Sequence, residues 1–237
     1  ATAKRGRPVT KAFQIERTQE IYVLVDASRL SGRLPGRTAA AGETPTGDER
    51  MLDRALSSAL LLGVAAERQG DLFGLVTFSD QVKTFVRASN GAAHYGACRD
   101  ALYTLEPATV SPDFEEVAAF LRHRLRRRAL LVFLTSLDDP VIAEGFVRAM
   151  DLLRNQHLLC VAMIRPPGIQ PLFQNAAVTR VDDLYGELAG HLRWQNLREL
   201  ERILRRRGVG FALTDAPNLT MEIIRQYMAV KIGRAHV

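Results

Sequence analysis

The sequence contains little cysteine and lacks the cysteine and histidine spacing of a zinc centre. Its two cysteines, Cys98 and Cys160, are too few for a disulfide framework and are not spaced as metal ligands. Both lie in apolar surroundings, so we expect buried, reduced thiols, as in a cytosolic protein. The histidines show no ligand spacing either: His94, His123, His157, His191 and His236. Neither a disulfide-stabilised fold nor a cysteine–histidine zinc site is therefore indicated.

Signatures of nucleotide binding and of membrane insertion are also missing. The turn after the first apolar run reads Ser-Arg-Leu-Ser-Gly, which is not a glycine-rich dinucleotide fingerprint, and no Walker-type Gly-Lys-Ser occurs. No stretch is long and apolar enough to span a bilayer, and no signal peptide is visible. With 47% hydrophobic and 24% charged residues, the 237-residue chain has the composition of one large globular domain.

Positive charge is present but does not indicate a nucleic-acid partner. The formal net charge of +6 permits an acidic partner or a membrane surface without requiring one. Basic runs occur at 122–128 and 205–207. Nucleic-acid recognition would favour a basic stripe with interleaved aromatic residues or a recognised module. Because both runs end predicted helices, where cations are favourable, we interpret them as solvated helix ends.

The chain is organised around residues 19–33, which read QEIYVLVDASRLSGR. Its apolar run at 21–25 is rich in β-branched residues, which is typical of a strand buried on both faces. The run ends at Asp26, and Ser28 and Ser31 follow on one loop. In open α/β sheets the ligand crevice lies outside the carboxyl ends of the strands. The sequence therefore places an acid and two hydroxyls where such folds usually have their site.

Strand and helix patterns alternate along almost the whole chain. Strands are predicted at 21–25, 72–78, 82–86, 129–135, 157–164 and 209–213, with a further edge strand near 13–15. Helices are predicted at 51–68 (capped by Asp48), 91–105, from 111 or 113 to 126, 141–154, 181–207 and 217–227. The tight turn at 79–80 makes the strand at 82–86 antiparallel to its neighbour. The pattern predicts a doubly wound α/β fold, with a mostly parallel six-stranded sheet and one antiparallel edge strand.

Four segments together resemble a known bacterial family. They read RGRPVTKAFQIERTQEIYVLVDASRL, GDLFGLVTFSDQV, RRRALLVFLTSLDDP and NLTMEIIRQYMAVK. In order and spacing they are similar to the family called domain of unknown function 58, whose carboxyl half resembles a von Willebrand factor A domain. Members usually carry amino-terminal membrane helices and are encoded beside MoxR-type AAA ATPases. The resemblance thus implies a non-enzymatic protein-interaction module serving such an ATPase at the cytoplasmic, inner face of the cell membrane.

The two ends suggest that the sequence is part of a longer protein. We expect residues 1–18 to be a basic lead-in left from the upstream family region and residues 19–231 to be the von Willebrand factor A-like domain. Residues 232–237 are interpreted as a non-native tail, because KIGRAHV at the end resembles a translated sequencing adapter. The membrane anchor is then expected in the missing amino-terminal part.

The resemblance also implies a metal-ion-dependent adhesion site built from three loops. Its first loop maps onto Asp26 and Ser28, with Leu30 where a second serine is expected and Ser31 one place late. A carboxylate and hydroxyls are ligands that suit Mg²⁺. A purely local role is the alternative, in which Asp26 caps the turn and Ser28 bonds the nearby backbone.

The second and third loops depart from the family pattern. In the second loop Pro112 precedes Asp113 where a hydroxyl is expected, and Ser111 comes one place early. In the third loop Ser136 occupies the expected aspartate position, and Asp138 follows later. Since affinity for hard cations depends on the number of charged ligands, we expect Mg²⁺ to bind weakly or not at all.

These considerations give two overlapping sets of candidate site residues. The candidate metal ligands are Asp26, Ser28, Ser31, Ser111 and Asp138. The candidate partner-binding residues are Asp26, Ser28, Arg29, Asp113 and Asp138. Without a metal, Asp26 needs another counter-charge: Arg29 is the nearest candidate in the sequence, and a Lys or Arg of the partner is the alternative. The alternative function is a metal-assisted phosphohydrolase that uses Asp26 as nucleophile or ligand, although such an enzyme would favour a second nearby acid and a fixed cation.

Overall fold

A computed structural model of the chain describes residues 18–35, 49–172 and 181–235. The strands of this part are β1 (Glu20–Asp26), β2 (Leu72–Phe78), β3 (Val82–Ser89), β4 (Ala129–Leu134), β5 (Leu158–Ile164) and β6 (Val209–Thr214). The helices are α1 (Met51–Arg68), α2 (Ala92–Tyr103), α3 (Phe114–Arg124), α4 (Pro140–Leu153), α5 (Val181–Arg206) and α6 (Leu219–Ala235). A short 3₁₀ turn, Ala216–Asn218, precedes α6.

The strands form one sheet in the order β3-β2-β1-β4-β5-β6. Adjacent strands are parallel except β3, which pairs antiparallel with β2 at the edge of the sheet. The predicted six-stranded, doubly wound sheet with one antiparallel edge strand is confirmed. The chain runs outward from β1 to β3 and then crosses back to β4, so the strand order reverses between β1 and β4. Ligand crevices of open α/β sheets lie at such a point.

Helices cover both faces of the sheet, which explains the unbroken apolar strand sequences. On β1, Tyr22 and Leu24 pack into one core layer with residues of α3, α4 and α5. Ile21, Val23 and Val25 pack into the other layer with residues of α1, α2 and α6. A parallel strand enclosed in this way has apolar residues at every position rather than at every second one.

The residues predicted to be fully buried are fully buried. Val25, Leu75 and Phe133 are each 0% exposed. Cys98 and Cys160 are also buried and form no disulfide, and burial raises the pKa of each thiol to about 11. Both thiols therefore stay protonated at neutral pH, as expected for unreactive core cysteines.

Some element boundaries differ from the prediction. β3 continues to Ser89, three residues beyond the predicted end. The last helix starts at Leu219, because Pro217 lies in the 3₁₀ turn, and it continues to Ala235 rather than ending at Tyr227. Helix α1 follows an N-cap at Arg50. The predicted strand at 13–15 and the predicted cap at position 48 lie outside the described residues.

Among the helices of the described ranges, none combines the length and the apolar composition needed to cross a bilayer.

Candidate functional site

Asp26 lies at the carboxyl end of β1, beside β4, where the strand order reverses. Its side chain is buried, and the whole residue is 2% exposed. One carboxylate oxygen, Oδ1, accepts a hydrogen bond from the Ser28 backbone N–H at 2.8 Å. The other oxygen, Oδ2, accepts a hydrogen bond from the Thr135 hydroxyl at 2.5 Å. Since Thr135 directly follows β4, this carboxylate connects the ends of the two central strands.

The Asp26 carboxylate has hydrogen-bond donors but no cation beside it among the described residues. Burial raises the pKa of Asp26, while the hydrogen bonds from Thr135 and Ser28 lower it by a smaller amount. Arg29, the expected counter-charge, instead donates from Nε to the Ser111 hydroxyl at 3.2 Å. Its backbone N–H donates to the Val110 carbonyl at 3.0 Å, which holds the residue along the neighbouring loop. The expectation that Arg29 neutralises Asp26 was therefore wrong.

The two serines of the first loop stabilise that loop. The Ser28 hydroxyl accepts a hydrogen bond from the Leu30 N–H at 3.4 Å, and the Ser31 hydroxyl donates to the Ser28 carbonyl at 2.8 Å. Leu30, at the position of the missing serine, is fully buried. This geometry matches the local interpretation of the motif, in which Asp26 and Ser28 organise a turn.

The acids of the other two loops are also bound to protein groups. Asp113 caps α3 by accepting from the N–H groups of the second and third helical residues, both at 3.0 Å. Asp139 caps α4 in the same way, with a 2.9 Å bond from the Val141 N–H. Asp138 accepts from Arg33 at 2.8 Å, and its second oxygen, Oδ1, is buried without a partner in the described structure.

These contacts do not match a dedicated shell for a hard cation. Asp26 already accepts two hydrogen bonds, and two of the other candidate ligands have guanidinium groups beside them, Arg29 at Ser111 and Arg33 at Asp138. No group of three or more His, Cys, Asp or Glu side chains in the described ranges could hold a metal ion. Because a protein cation adjoins two of the three loops, weak or absent Mg²⁺ binding remains our prediction.

A small cavity adjoins Asp26 on the side of α1. Its volume is about 30 Å³, and its polar lining consists of Asp26, Ser31, Thr135 and Ser136. This volume is enough for one water molecule and too small for a phosphate ester. The arrangement thus restricts access to Asp26 to water-sized species.

The loops around Asp26 are joined by backbone hydrogen bonds. The Ala27 N–H donates to the Phe78 carbonyl at 2.7 Å, and the Ala27 carbonyl accepts from the Ala108 N–H at 2.7 Å. The Asp113 N–H donates to the Ser79 carbonyl at 3.1 Å. We call the outward-facing side chains of these joined loops the strand-end surface, which comprises Arg29, Arg33, Ser111 and Asp113. Of the candidate partner-binding residues, Asp26 and Ser28 are buried beneath this surface, whereas Arg29 and Asp113 lie on it. The Asp138 side chain is only 10% exposed and lies beside it, paired with Arg33.

Sequence reasoning located Asp26 but missed Thr135 as its partner. The two residues are 109 positions apart, and no local pattern links them. The sequence analysis predicted a doubly wound sheet but no strand order, and the structure makes the strands before Asp26 and Thr135 parallel neighbours. The hydroxyl of Thr135, one residue past β4, is then expected near the Asp26 carboxylate at the end of β1.

Replacing Asp26 with asparagine should raise the free energy of unfolding at neutral pH by about 1 kcal/mol or more. The asparagine can accept from the Ser28 N–H and donate to Thr135 Oγ1, but it carries no charge to bury. Burial raises the pKa of Asp26 above its ordinary 3.8, so the carboxyl's contribution to stability is complete below about pH 4 and is lost as the pH rises through the raised pKa. The gain from asparagine should therefore shrink as the pH falls towards 4, as urea unfolding at several pH values would show.

Asp113→Asn is the matched control, because it makes the same change at an exposed helix cap. Asparagine is as good an N-cap as aspartate, so we expect a change within about 0.5 kcal/mol. A stability gain for Asp26→Asn that stays constant with pH, or a loss at neutral pH, would contradict the assignment of a costly buried charge.

Comparisons with known proteins agree with this architecture. The model of the family described as protein of unknown function DUF58 matches residues 1–172. No curated protein matches the chain. Among solved structures, the PilB minor pilin from Streptococcus sanguinis is similar, with a TM-score of 0.55 and 12% identity over 95% of this chain. The chain spans 63% of that pilin's length.

Two further solved structures are similar over almost their full length. The SpRpn10 VWA domain has a TM-score of 0.51 and 10% identity, covering 89% of this chain and 95% of that domain. The conserved hypothetical protein BatB from Bacteroides thetaiotaomicron has a TM-score of 0.52 and 13% identity, covering 89% and 97%. At these identities the similarity concerns the fold. The chain therefore belongs to the DUF58 family of proteins of unknown function and has a von Willebrand factor A-like fold.

Proposed function

We propose that the chain is a non-enzymatic protein-interaction module whose strand-end surface binds a MoxR-type AAA ATPase. The observation that carries this proposal is the contrast between Asp26, which is 2% exposed, and the outward-facing side chains above it. Loops fixed by backbone hydrogen bonds present Arg29, Ser111 and Asp113 to solvent. A rigid surface that combines positive, neutral and negative polar groups suits recognition of another protein.

The ATPase partner and the setting rest on the family resemblance. The intact protein would act in a membrane-associated assembly at the inner face of the cell membrane, with this domain on the cytoplasmic side. The fold itself does not identify the partner, because one fold supports many functions.

The contacts of Asp26 do not favour the alternative, a metal-assisted phosphohydrolase. A nucleophile must contact its substrate. The cavity beside Asp26 has a volume of about 30 Å³, which has room for a water molecule but not for a phosphate ester. Phosphoryl transfer would also favour a second acid and a fixed cation beside the first. Asp138, the nearby candidate acid, is instead paired with Arg33 at 2.8 Å.

Reversing the charge of Arg29 should weaken ATPase binding tenfold or more, which corresponds to about 1.4 kcal/mol. Arg29→Glu replaces an exposed cation of the strand-end surface with a carboxylate, so a partner that is complementary to the cation would be repelled. Biolayer interferometry with a purified MoxR-type ATPase would measure the change in Kd.

Arg68→Glu provides the control, since it makes the same change at an exposed position. Arg68 ends α1 shortly before β2 begins, so it lies near the amino ends of the strands, away from the strand-end surface. The Arg68→Glu variant should bind the ATPase like the wild type. Wild-type affinity for Arg29→Glu, or an equal loss for both variants, would mean that the partner binds elsewhere.

A further inference from the structure

A pocket of about 350 Å³ lies at the amino end of β1, at the opposite end of this strand from Asp26. The start of β1, the end of β3 and the loop between α3 and β4 meet there. Aromatic side chains of Tyr22 and Phe85 line it, together with four arginines. We call it the arginine pocket, and its arginines are Arg87, Arg124, Arg126 and Arg127.

The aromatic part of the pocket depends on a glycine in the neighbouring strand. The rings of Tyr22 and Phe85 stack, with centroids 5.8 Å apart and planes inclined by 12°. Tyr22 lies across β2 at Gly74, where an added Cβ would come within 2.5 Å of the tyrosine ring. The Tyr22 hydroxyl then accepts a hydrogen bond from the Ala88 N–H at 3.1 Å. Gly74 therefore allows Tyr22 to reach β3 and form one wall.

A bulge in β3 places the first arginine. Phe73 and Leu75 of β2 pair with Ser89 and Val86 of β3, so β3 contains one extra residue in this stretch, which includes Arg87. Bulges at sheet edges bend the strand and redirect side chains. The Ala88 N–H in the bulge is satisfied by the Tyr22 hydroxyl, so this irregular backbone is a stable part of the structure.

The other arginines are held by α3 and the loop that follows it. The Arg124 guanidinium lies over the rings of Phe85 and Phe120, 5.9 and 5.5 Å from their centroids, and such cation–π contacts restrict it to one region. Arg126 and Arg127 follow in the loop. The Leu125 carbonyl accepts from Gln156 Nε2 at 3.0 Å, which fixes the start of that loop. The run at 122–128 is thus more than a solvated helix end.

The charge of the arginine pocket is strongly positive. Four arginines face one acid, Glu20, and none of these arginines forms an ion pair within the described part of the chain. Cations brought together around a pocket repel each other, and a bound anion relieves that repulsion. The lining therefore indicates an anionic ligand.

We propose that the arginine pocket binds the phosphate group of a phosphate-bearing ligand. A phosphate monoester carries nearly two negative charges and three acceptor oxygens, whereas a carboxylate carries one charge and two oxygens. Several guanidinium forks converging on one pocket match the phosphate better. The pocket's volume suits a compact group, such as a lipid headgroup or a small soluble phosphate, better than an extended acidic peptide. This site is separate from the strand-end surface and does not depend on the proposed ATPase partner.

Calorimetric titration of inorganic phosphate into the whole chain would test the proposal. We expect saturable binding that falls tenfold or more in the double variant Arg87→Ala/Arg127→Ala. Both side chains are exposed, so their truncation should leave the fold intact, as circular dichroism would verify. Arg122→Ala is the control, because it removes a cation from the same basic run but does not line the pocket. It should bind phosphate like the wild type.

Sedimentation with phosphatidylcholine vesicles, with and without phosphatidic acid, distinguishes the sources of phosphate. Binding to the phosphatidic acid vesicles that is lost in the double variant would identify a lipid headgroup. Phosphate binding without vesicle binding would identify a soluble ligand. No saturable binding in either arm, or equal loss in Arg122→Ala, would overturn the proposal. Capture of poly-glutamate through the same arginines, without competition by phosphate, would also overturn it in favour of an acidic peptide.

Discussion

Truncating Phe133 to alanine should lower the free energy of unfolding by about 3–5 kcal/mol. Phe133 is 0% exposed in the middle of β4, one of the two central strands. Its ring meets that of Phe146 from α4 edge to face, with centroids 5.4 Å apart. Alanine would lose this contact and leave a cavity that close-packed neighbours cannot fill. Urea denaturation followed by circular dichroism would measure the loss.

Tyr103→Ala serves as the control, because this tyrosine is also aromatic but is 89% exposed at the end of α2. Its truncation should change stability by no more than about 0.5 kcal/mol. If Phe133→Ala lost less than about 1 kcal/mol, β4 could not be a central strand enclosed by helices.

Asp71→Ala should be the other severe substitution, with a loss of about 2–5 kcal/mol, because it leaves two buried donors unsatisfied. Asp71 precedes β2 and is buried. Its Oδ1 accepts from the Gln19 N–H at 3.0 Å, and its Oδ2 accepts from the Tyr227 hydroxyl at 2.5 Å and from Lys231 at 3.1 Å. One carboxylate thus holds helix α6 to the amino end of the sheet. Alanine would leave the Gln19 N–H and the Tyr227 hydroxyl without their acceptor, whereas Lys231 would keep its bond to the Gln69 carbonyl.

Tyr227→Phe removes only one of these donors and should cost about 1–2 kcal/mol. Urea unfolding of both variants would compare them directly. A loss for Asp71→Ala no larger than that for Tyr227→Phe would show that the cluster does not fasten α6.

The parallel strands were predictable because each has an almost unbroken apolar sequence, which is typical of a sheet covered on both faces. Residues 72–78 and 129–134, for example, have almost no polar side chains, and both became strands of the predicted length or nearly so. The antiparallel edge followed from the short turn at 79–80. The extension of β3 was less predictable, because it pairs through a bulge that depends on Tyr22 in another strand.

The candidate site was predictable in position but not in its contacts. The end of β1 identified Asp26, since strand ends collect the functional residues of such folds. The direction of Arg29 could not be read in the same way. Its backbone bonds to the loop at residue 110, far away in the sequence, and this bond turns the side chain towards Ser111.

The arginine pocket could not be predicted from the sequence either, because it too depends on contacts between residues that are far apart in the sequence. The run at 122–128 is basic wherever it lies, and a helix end explains its composition adequately. What forms the pocket is Gly74, which lets the Tyr22 ring cross β2. Glycine inside a strand pattern can mark such a close approach, and it was the available signal.

Titration of Mg²⁺ into the chain is the most direct test that the Asp26 carboxylate is hydrogen-bonded by protein groups rather than bound to a cation. We predict no saturable heat below about 1 mM Mg²⁺ by isothermal titration calorimetry, either for the wild type or for Asp26→Ala. The reason is that Asp26 is bound by Ser28 and Thr135. A micromolar isotherm that Asp26→Ala abolishes would contradict this prediction and would show that an adhesion-type metal site is intact.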